Sequence, residues 1–389
     1  VPYKSVRDVA WAGRRALVRV DFNVPQDAAG HVTDDTRLRA VLPTLQYLLA
    51  EGASLVLMSH LGRPEPDDQA RFTLRPVAAR LAQLLHRTVH LITALDPARD
   101  ALRPHDQAVL MLENTRFHAG ETRNDPDLAQ CFSRWGDVYV NDAFGSMHRA
   151  HASTVGVAQF LPAVAGLLVM REIKFLQPLI SAPARPMVAL MGGAKISDKI
   201  EVIRNLLARV DVLLLGGGMA NTFLLAQGHD MAASLVERDV LHRARNMLEA
   251  GASKMHLPVD LHVGAAPEAG TAHRTVDVDA VPAGWLALDI GEATIAHYAN
   301  RLAGAATIFW NGPMGLAEVP PFDQGTNRLA QRLAELTEAT TIVGGGDSAA
   351  AVHRASLTDA FSHISTGGGA TLEFVGGKAL PGLQVLNST

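Results

Sequence analysis

"MVALMGGAKISDKI", residues 187–200, opens with an apolar run that reads as a β-strand and passes through two glycines into a segment that reads as a helix. A strand–glycine–helix join of this kind is the repeating unit of a parallel sheet covered by helices. Two lysines, Lys195 and Lys199, stand at the join, and the chain has only six lysines among its 35 basic residues. An ammonium is a compact point charge and a guanidinium a planar fork, so an arginine-rich chain keeps lysine where the smaller cation is needed. The common mononucleotide loop, G-x-x-x-x-G-K-[ST], occurs nowhere in the chain, so a phosphate site here is built in another way. A solvated helix face is the alternative reading of the two lysines.

The same alternation extends in both directions. Strand-like runs occur at 16–20, 54–58, 108–112 and 137–140 in the first half, and at 187–190, 212–215, 255–259, 307–310, 341–343 and 363–365 in the second. Residues 161–180 read as one long amphipathic helix, followed by the proline-marked linker SAPARP at 181–186. The expectation is an α/β protein of two domains, residues 1–169 and residues 170 onward, the second beginning with the helix that joins them.

Composition narrows the function. A chain of 389 residues, 48% hydrophobic and 19% charged, is too long for one ordinary core. A formal charge of -4 predicts no nucleic-acid surface. The single cysteine, Cys131, excludes an intrachain disulfide framework and reads as packing, which fits a reducing compartment. The opening residues VPYKSVRDVAWAGRR contain no apolar segment of the signal-peptide kind. The uncharged apolar stretch 212–227 is interrupted by three glycines and Asn221, which argues against a membrane span. A cytoplasmic protein with no membrane or nucleic-acid partner is expected.

Parallel α/β sheets bind ligands beyond the carboxyl ends of their strands. In the first half those ends read DFNVP with Asp21 and Asn23, SHLGRP with His60 and Arg63, ENTRFH with Asn114 and Arg116, and NDAFGSMHRAH with Asp142, His148, Arg149 and His151. Together with Arg37 they place four arginines around one sheet edge, enough for a small, highly anionic molecule. Any one of these arginines alone reads better as a surface salt bridge, and only the four together at consecutive strand ends favour the anion site. His148 and His151 lack a third ligand at fixed spacing and make a weak zinc motif.

In the second half the strand ends are glycine-rich: GGAKISDK, GGGMANTF, NGPMG, GGGDSA and STGGGATLE. Glycine lets backbone N–H groups approach a ligand, and a helix start behind them favours anions. GGGDSA also fits the dinucleotide pattern G-x-G-x-x-A, so an NAD-dependent dehydrogenase is an alternative. Against it, Asp347 lies inside the turn, where its charge would oppose a pyrophosphate, and no acidic residue stands about twenty positions on. A carboxylate beside phosphates at a helix start is better read as a partner of Mg²⁺.

Taken together, the motifs from RVDFNVP at 19–25 to STGGGATLE at 365–373 resemble the phosphoglycerate kinase family. The resemblance implies two Rossmann-like domains facing each other across a cleft, one for 3-phosphoglycerate or 1,3-bisphosphoglycerate and one for Mg-ADP or Mg-ATP. It also implies a monomer acting in glycolysis, with a chain end, 375–389, that returns to the first domain and leaves 170–374 as the second. Carried over by position, it implies that Asp21, Asn23, Arg37, His60, Arg63, Arg116 and Arg149 hold the three-carbon substrate. Lys195 and Lys199 would meet nucleotide phosphates, Gly216 and Gly217 the adenine, and Glu318 the ribose. Asn311 and the turn Gly344, Gly345, Gly346, Asp347 and Ser348 would serve the phosphates, with Asp347 on the magnesium. Arg37, Lys199, Gly368 and Gly369 would stabilise the phosphoryl group in transfer.

The chain departs from the family's usual residues at Ser146, Met147, Glu292, Ala317 and Ser348. No aspartate of the protein-kinase catalytic-loop type is evident. The family reaction needs none, because its acceptor is already an anion. A nucleotide-binding regulatory protein of the same fold is the further alternative.

Overall fold

Short aliphatic runs with no polar interruption suit strands covered on both faces, and Ser54–Met58 is buried at every position. The computed structural model describes residues 3–65, 67, 69–95 and 109–387. Ala108, expected to head a strand, and residues 1, 2, 388 and 389 lie outside the described residues. The chain divides into two units, Val1–Lys174 with Ala379–Thr389, and Phe175–Lys378.

The first unit carries β1 (Arg15–Arg19), β2 (Ser54–Met58), β3 (Val89–Ile92), β4 (Val109–Leu112), β5 (Val138–Asn141) and β6 (Ala163–Ala165). All pair in parallel in the order β3-β4-β2-β1-β5-β6. Its helices are α1 (Thr36–Ala50), α2 (Arg75–Leu85) and α3 (Pro126–Ser133). α3 starts where its sequence requires. Asp125 accepts from the N–H groups of Asp127 and Leu128, and Pro126 occupies a position whose N–H would have had no partner. Leu38, Val41, Leu45 and Leu48 of α1 meet Val77 and Leu81 of α2 in the core over β1 and β2.

α4 (Leu167–Ser181) contains the boundary between the units. The expected helix start at 161 is corrected here, because residues Ala163–Ala165 pair with Tyr139–Asn141 as an edge strand. The open edge of β5 satisfies backbone groups that a helix would otherwise have to satisfy itself. Asp142 then accepts from Val169 N at 3.1 Å, in the first turn of the helix.

The second unit holds β7 (Met187–Met191), β8 (Val212–Leu215), β9 (Met255–His256), β10 (Asp260–Gly264), β11 (His273–Asp277), β12 (Leu286–Ile290), β13 (Thr307–Asn311), β14 (Thr340–Gly344) and β15 (His363–Ile364). Six of these form a parallel sheet in the order β15-β14-β13-β7-β8-β9. The other three make a separate antiparallel sheet, β11-β10-β12, absent from the sequence reading. β9 is also shorter than the expected 255–259, and Pro258, which has no N–H to give to a ladder, follows it closely. The helices are α5 (Ile200–Leu207), α6 (Gly217–Gln227), α7 (Leu241–Ala250), α8 (Glu292–Leu302), α9 (Gln324–Ala334), α10 (Gly346–Arg354) and α11 (Gly369–Val375). α12 (Pro381–Gln384) follows in the first unit, where Gly382 N donates to Met147 O at 2.9 Å.

In each parallel sheet the strand order reverses once, between β1 and β5 in the first and between β7 and β13 in the second. Such switch points open a crevice at the strand ends. Near the second, the fully buried Tyr298 of α8 donates to Leu215 O at 2.6 Å, at the end of β8. Tyr298→Phe removes that donor, and we expect a loss of about 1–2 kcal/mol of stability. Urea unfolding followed by circular dichroism checks it; an unchanged midpoint would show the bond contributes nothing.

Candidate active site

At the β1–β5 switch point the segment after β1 turns back on itself. Asp21 pairs with Arg37 Nη1 at 2.8 Å, and the Ser146 hydroxyl lies 3.4 Å from its other oxygen. Burial works against ionisation of Asp21, but His60, Arg37, Arg19 and the Asn23 N–H hold its carboxyl below the usual value. Asn23 accepts from Gly62 N at 2.9 Å, which ties the loop after β1 to the loop after β2. Asn114 joins the loop after β4 through Leu61 O at 2.7 Å, and Arg116 donates to Gly62 O.

The charges gathered there are unbalanced. Burial, then Arg149, Arg19 and Arg63, lower Arg116 to about 10, and its buried Nε has no partner among the described residues. His60 is pushed well below its ordinary value by burial and by Arg19, Arg116 and Arg37, against the pull of Asp21. Arg149 donates to His148 Nε2 at 3.0 Å. The structure thus groups Asp21, Asn23, Arg37, His60, Arg63 and Arg116 around joined loops, with Arg149 within electrostatic reach of Arg116. An excess of cation over carboxylate makes this edge fit for a multiply charged anion.

At the β7–β13 switch point the two lysines separate. Lys195 is exposed. Lys199 Nζ donates to Gly192 O at 2.5 Å and to Asn311 Oδ1 at 3.2 Å, and burial lowers it to about 8. With its oxygen taken by Lys199, the buried Asn311 amide has an Nδ2 with no partner among the described residues. That nitrogen lies 2.9 Å from where a Cβ would sit on Gly345, the N-cap of α10, whose φ of +90° is open to glycine but strained for other residues. A free amide donor beside a helix start is a cradle for an anionic oxygen. Asp347 is exposed in the first turn of that helix, while the buried Ser348 accepts from Gly312 N at 2.6 Å and holds the turn after β13. Gly368 caps α11, whose first helical residue is Gly369. α11 packs on α5, and Thr371 lies close to Gly344.

Gly217 has φ +67°, and a Cβ on it would come within 2.8 Å of the Gly193 backbone, so α6 can begin here only with glycine. Beside it, a pocket is lined by Asn221, Leu261, Leu288, Asp289 and Met314 among others. Gly216, the N-cap of α6, donates to Met191 O at 3.0 Å. Glu318 is exposed and forms no part of the pocket lining. Most of the lining comes from β10 and β12, so the sequence reading, which lacked those strands, also missed Leu261, Leu288 and Asp289. Burial raises the Asp289 carboxyl to about 8, while Gly325 N donates to it at 2.7 Å.

Two further groups escaped the sequence reading. Arg19, fully buried at the end of β1, is a charge inside an apolar strand, and that misplacement was the available signal. Glu237 accepts from Ile196 N at 2.6 Å and from Ser197 N and Oγ at 3.1 and 2.6 Å, fastening the turn between the two lysines. Only a contact forty residues away in sequence reveals it.

Residues 6–378 match the family model described as phosphoglycerate kinase. The phosphoglycerate kinase of Desulforudis audaxviator (strain MP104C) is 54% identical over 392 residues, covering 99% of each chain. That of Chloroflexus aurantiacus (strain ATCC 29366 / DSM 635 / J-10-fl) is 52% identical over 395 residues, covering 98% of each. Among solved structures, phosphoglycerate kinase from Coxiella burnetii superposes with a TM-score of 0.91 at 40% identity, over 100% of this chain and 99% of that one. The enzyme from Pyrococcus horikoshii OT3 gives 0.87 at 31% identity, over 99% and 98%.

The depressed Lys199 has a direct readout. Between pH 8 and the ordinary lysine value of 10.5 the unfolded chain binds more protons at this group than the folded one, so its contribution to stability rises with pH through that window. Acylation of Lys199, followed by peptide mass spectrometry in the ligand-free protein, should reach half its maximal rate near pH 8. A midpoint near 10.5 would refute the burial argument.

Proposed function

Because the chain belongs to the phosphoglycerate kinase family, we propose that it moves a phosphoryl group reversibly between 1,3-bisphosphoglycerate and Mg-ADP, giving 3-phosphoglycerate and Mg-ATP in glycolysis. The observation that carries this reading is the unspent donor set at the β7–β13 switch point, Asn311 Nδ2 and the start of α10 beside Lys199. In this reading the first unit, with its excess of arginine, holds the phosphoglycerate. The second holds the nucleotide, its adenine in the pocket beside Gly217 and its phosphates along the ends of β7, β13 and β14. Lys195, Lys199, the turn 344–348 and Gly368 with Gly369 serve those phosphates, and Glu318 the ribose. The reading extends to a monomeric, cytoplasmic protein, as the resemblance implies; no helix among the described residues is long and apolar enough to cross a membrane.

The chemistry asks little of the side chains beyond charge. The acyl-phosphate P–O bond breaks, a bond forms from phosphorus to a β-phosphate oxygen of ADP, and the carboxylate leaves as an anion. Both attacking and leaving oxygens are unprotonated, so no general base is needed, and the dominant contribution is stabilisation of a loose phosphoryl transition state. Lys199 suits that role because its ammonium sits on a flexible stem, has three donors, and is held by only two neutral oxygens, Gly192 O at 2.5 Å and Asn311 Oδ1 at 3.2 Å. An anion arriving beside it restores the charge that burial disfavours. Magnesium fits the donors present, since Asp347 offers an exposed hard carboxylate oxygen at the start of α10. Bound with the nucleotide, it would neutralise phosphate charge.

A coupled assay for ATP from ADP and 1,3-bisphosphoglycerate tests the activity. In that assay Lys199→Ala should lower kcat roughly a hundred- to a thousandfold, the equivalent of about 2.7–4 kcal/mol, with a small change in KM for nucleotide. Lys199→Arg should recover little, because a longer planar fork cannot follow the same path. Near-normal kcat in Lys199→Ala would remove it from the transition state. For the first unit, alanine at Arg63, Arg116 or Arg149 should cost about 1.5–3 kcal/mol in 3-phosphoglycerate affinity while leaving Mg-ADP affinity unchanged. Calorimetric titration with each ligand measures both, and equal losses would contradict the division of labour.

A further inference from the structure

Arg19 is 0% exposed, and a guanidinium has N–H donors only. Its Nε donates to Ser153 Oγ at 2.8 Å, its Nη1 to the Val20 carbonyl, and its Nη2 lies 3.1 Å from His60 Nδ1. The serine hydroxyl that accepts from Arg19 donates in turn to Glu121 Oε1 at 2.6 Å, and Ser153 N donates to Glu121 Oε2 at 3.0 Å. Glu121 is also 0% exposed, so the carboxylate that compensates Arg19 acts through a serine. His151 stands 3.9 Å from the same carboxylate.

Each direction in this chain is forced. Arginine cannot accept, so the hydrogen bond to His60 exists only if Nδ1 presents a lone pair. An imidazole with a bare Nδ1 is neutral and carries its proton on Nε2. We propose that Arg19, held by Ser153 and Glu121, is a positioning residue that locks His60 as the neutral Nε2–H tautomer. His60 then offers one oriented N–H to an anion in the first unit, with neither a charge of its own nor a proton to release. The positive charge comes from Arg37 and Arg116.

The groups facing His60 agree with this. Arg19 reaches it from β1, Arg37 from α1 and Arg116 from the segment after β4, and with burial they outweigh Asp21 and hold the ring well below its ordinary pKa. Its state should therefore not change across the neutral range. What His60 donates to rests on the phosphoglycerate reading of this unit; the tautomer does not.

The test uses the full chain labelled with ¹⁵N-histidine. Long-range ¹H–¹⁵N spectra identify the protonated nitrogen of each ring, and His60 is assigned by the signal missing in His60→Gln. A neutral Nε2–H pattern is expected at pH 8 and still at pH about 5.5, one unit below the ordinary histidine value. An Nδ1–H pattern, or an imidazolium at pH 6, overturns the proposal without any variant. Ser153→Ala frees Arg19 Nε, so the His60 signal should become a mixture of tautomers. KM for 3-phosphoglycerate should then rise roughly tenfold while KM for Mg-ADP stays put. His60→Gln, whose amide N–H reaches about as far as Nε2, should keep most of the affinity that His60→Asn loses. If Ser153→Ala lowers the melting temperature but changes neither the His60 spectrum nor that KM, Arg19 is only structural and the proposal fails. A protein with the expected tautomer but no kinase activity would overturn the functional reading instead.

Discussion

The buried guanidinium of Arg19 constrains the whole first unit. A charge without solvent must be compensated where it stands, and here the compensation is spread over a carbonyl, a hydroxyl and a ring nitrogen, with the formal counter-charge on Glu121 one residue removed. Each of those groups comes from a different strand end or loop, so satisfying one donor-only side chain draws the ends of β1 and β2 and the segments 121 and 153 together. The arginines nearer the surface, Arg37 and Arg116, then find little carboxylate beyond Asp21 to neutralise them. A surplus of oriented donors is what remains, and it is the property a phosphorylated carboxylic acid requires.

The second unit solves a related problem with the backbone. A Walker loop gathers its N–H donors into one turn. Here the donors are distributed over the ends of β7, β13 and β14, and small residues allow those ends to approach: Gly217 against Gly193, and Gly345 against Asn311. Lys199 is the half-buried cation in that arrangement, and its pKa is lowered because the cost of desolvating its ammonium outweighs the pull of Asp347 and Asp198. Family membership over residues 6–378 and the site geometry rest on different observations.

Asn114, Ser348 and Glu237 hold loops by short bonds to backbone groups. Two cations of the candidate site differ from these: Lys199 divides its ammonium between Gly192 O at 2.5 Å and Asn311 Oδ1 at 3.2 Å, and Arg116 has a buried Nε left over. Preorganisation of this kind places donors before the charge arrives and avoids reordering them when it does.

Much of this was legible in the chain. The two parallel sheets announce themselves because a strand buried on both faces needs an unbroken apolar run, and because a tight strand-to-helix turn needs glycine; both signals are local. The positions of the arginines and glycines after those runs, at the strand ends, were legible for the same reason. What only the tertiary structure decided is whatever depends on partners distant in sequence. β6 is a strand because β5 has an open edge, where the apolar residues 161–166 read as helix. β10, β11 and β12 mix polar with apolar residues and became a sheet only by pairing with each other, and with them came most of the lining of the pocket beside Gly217. Lys195 and Lys199 read alike in sequence, yet burial against Gly192 and Asn311 lowers the pKa of Lys199 while Lys195 stays in solvent. Composition and spacing name the charges a chain carries; the desolvation and hydrogen bonds that set what each charge can do exist only once the strands have brought their ends together.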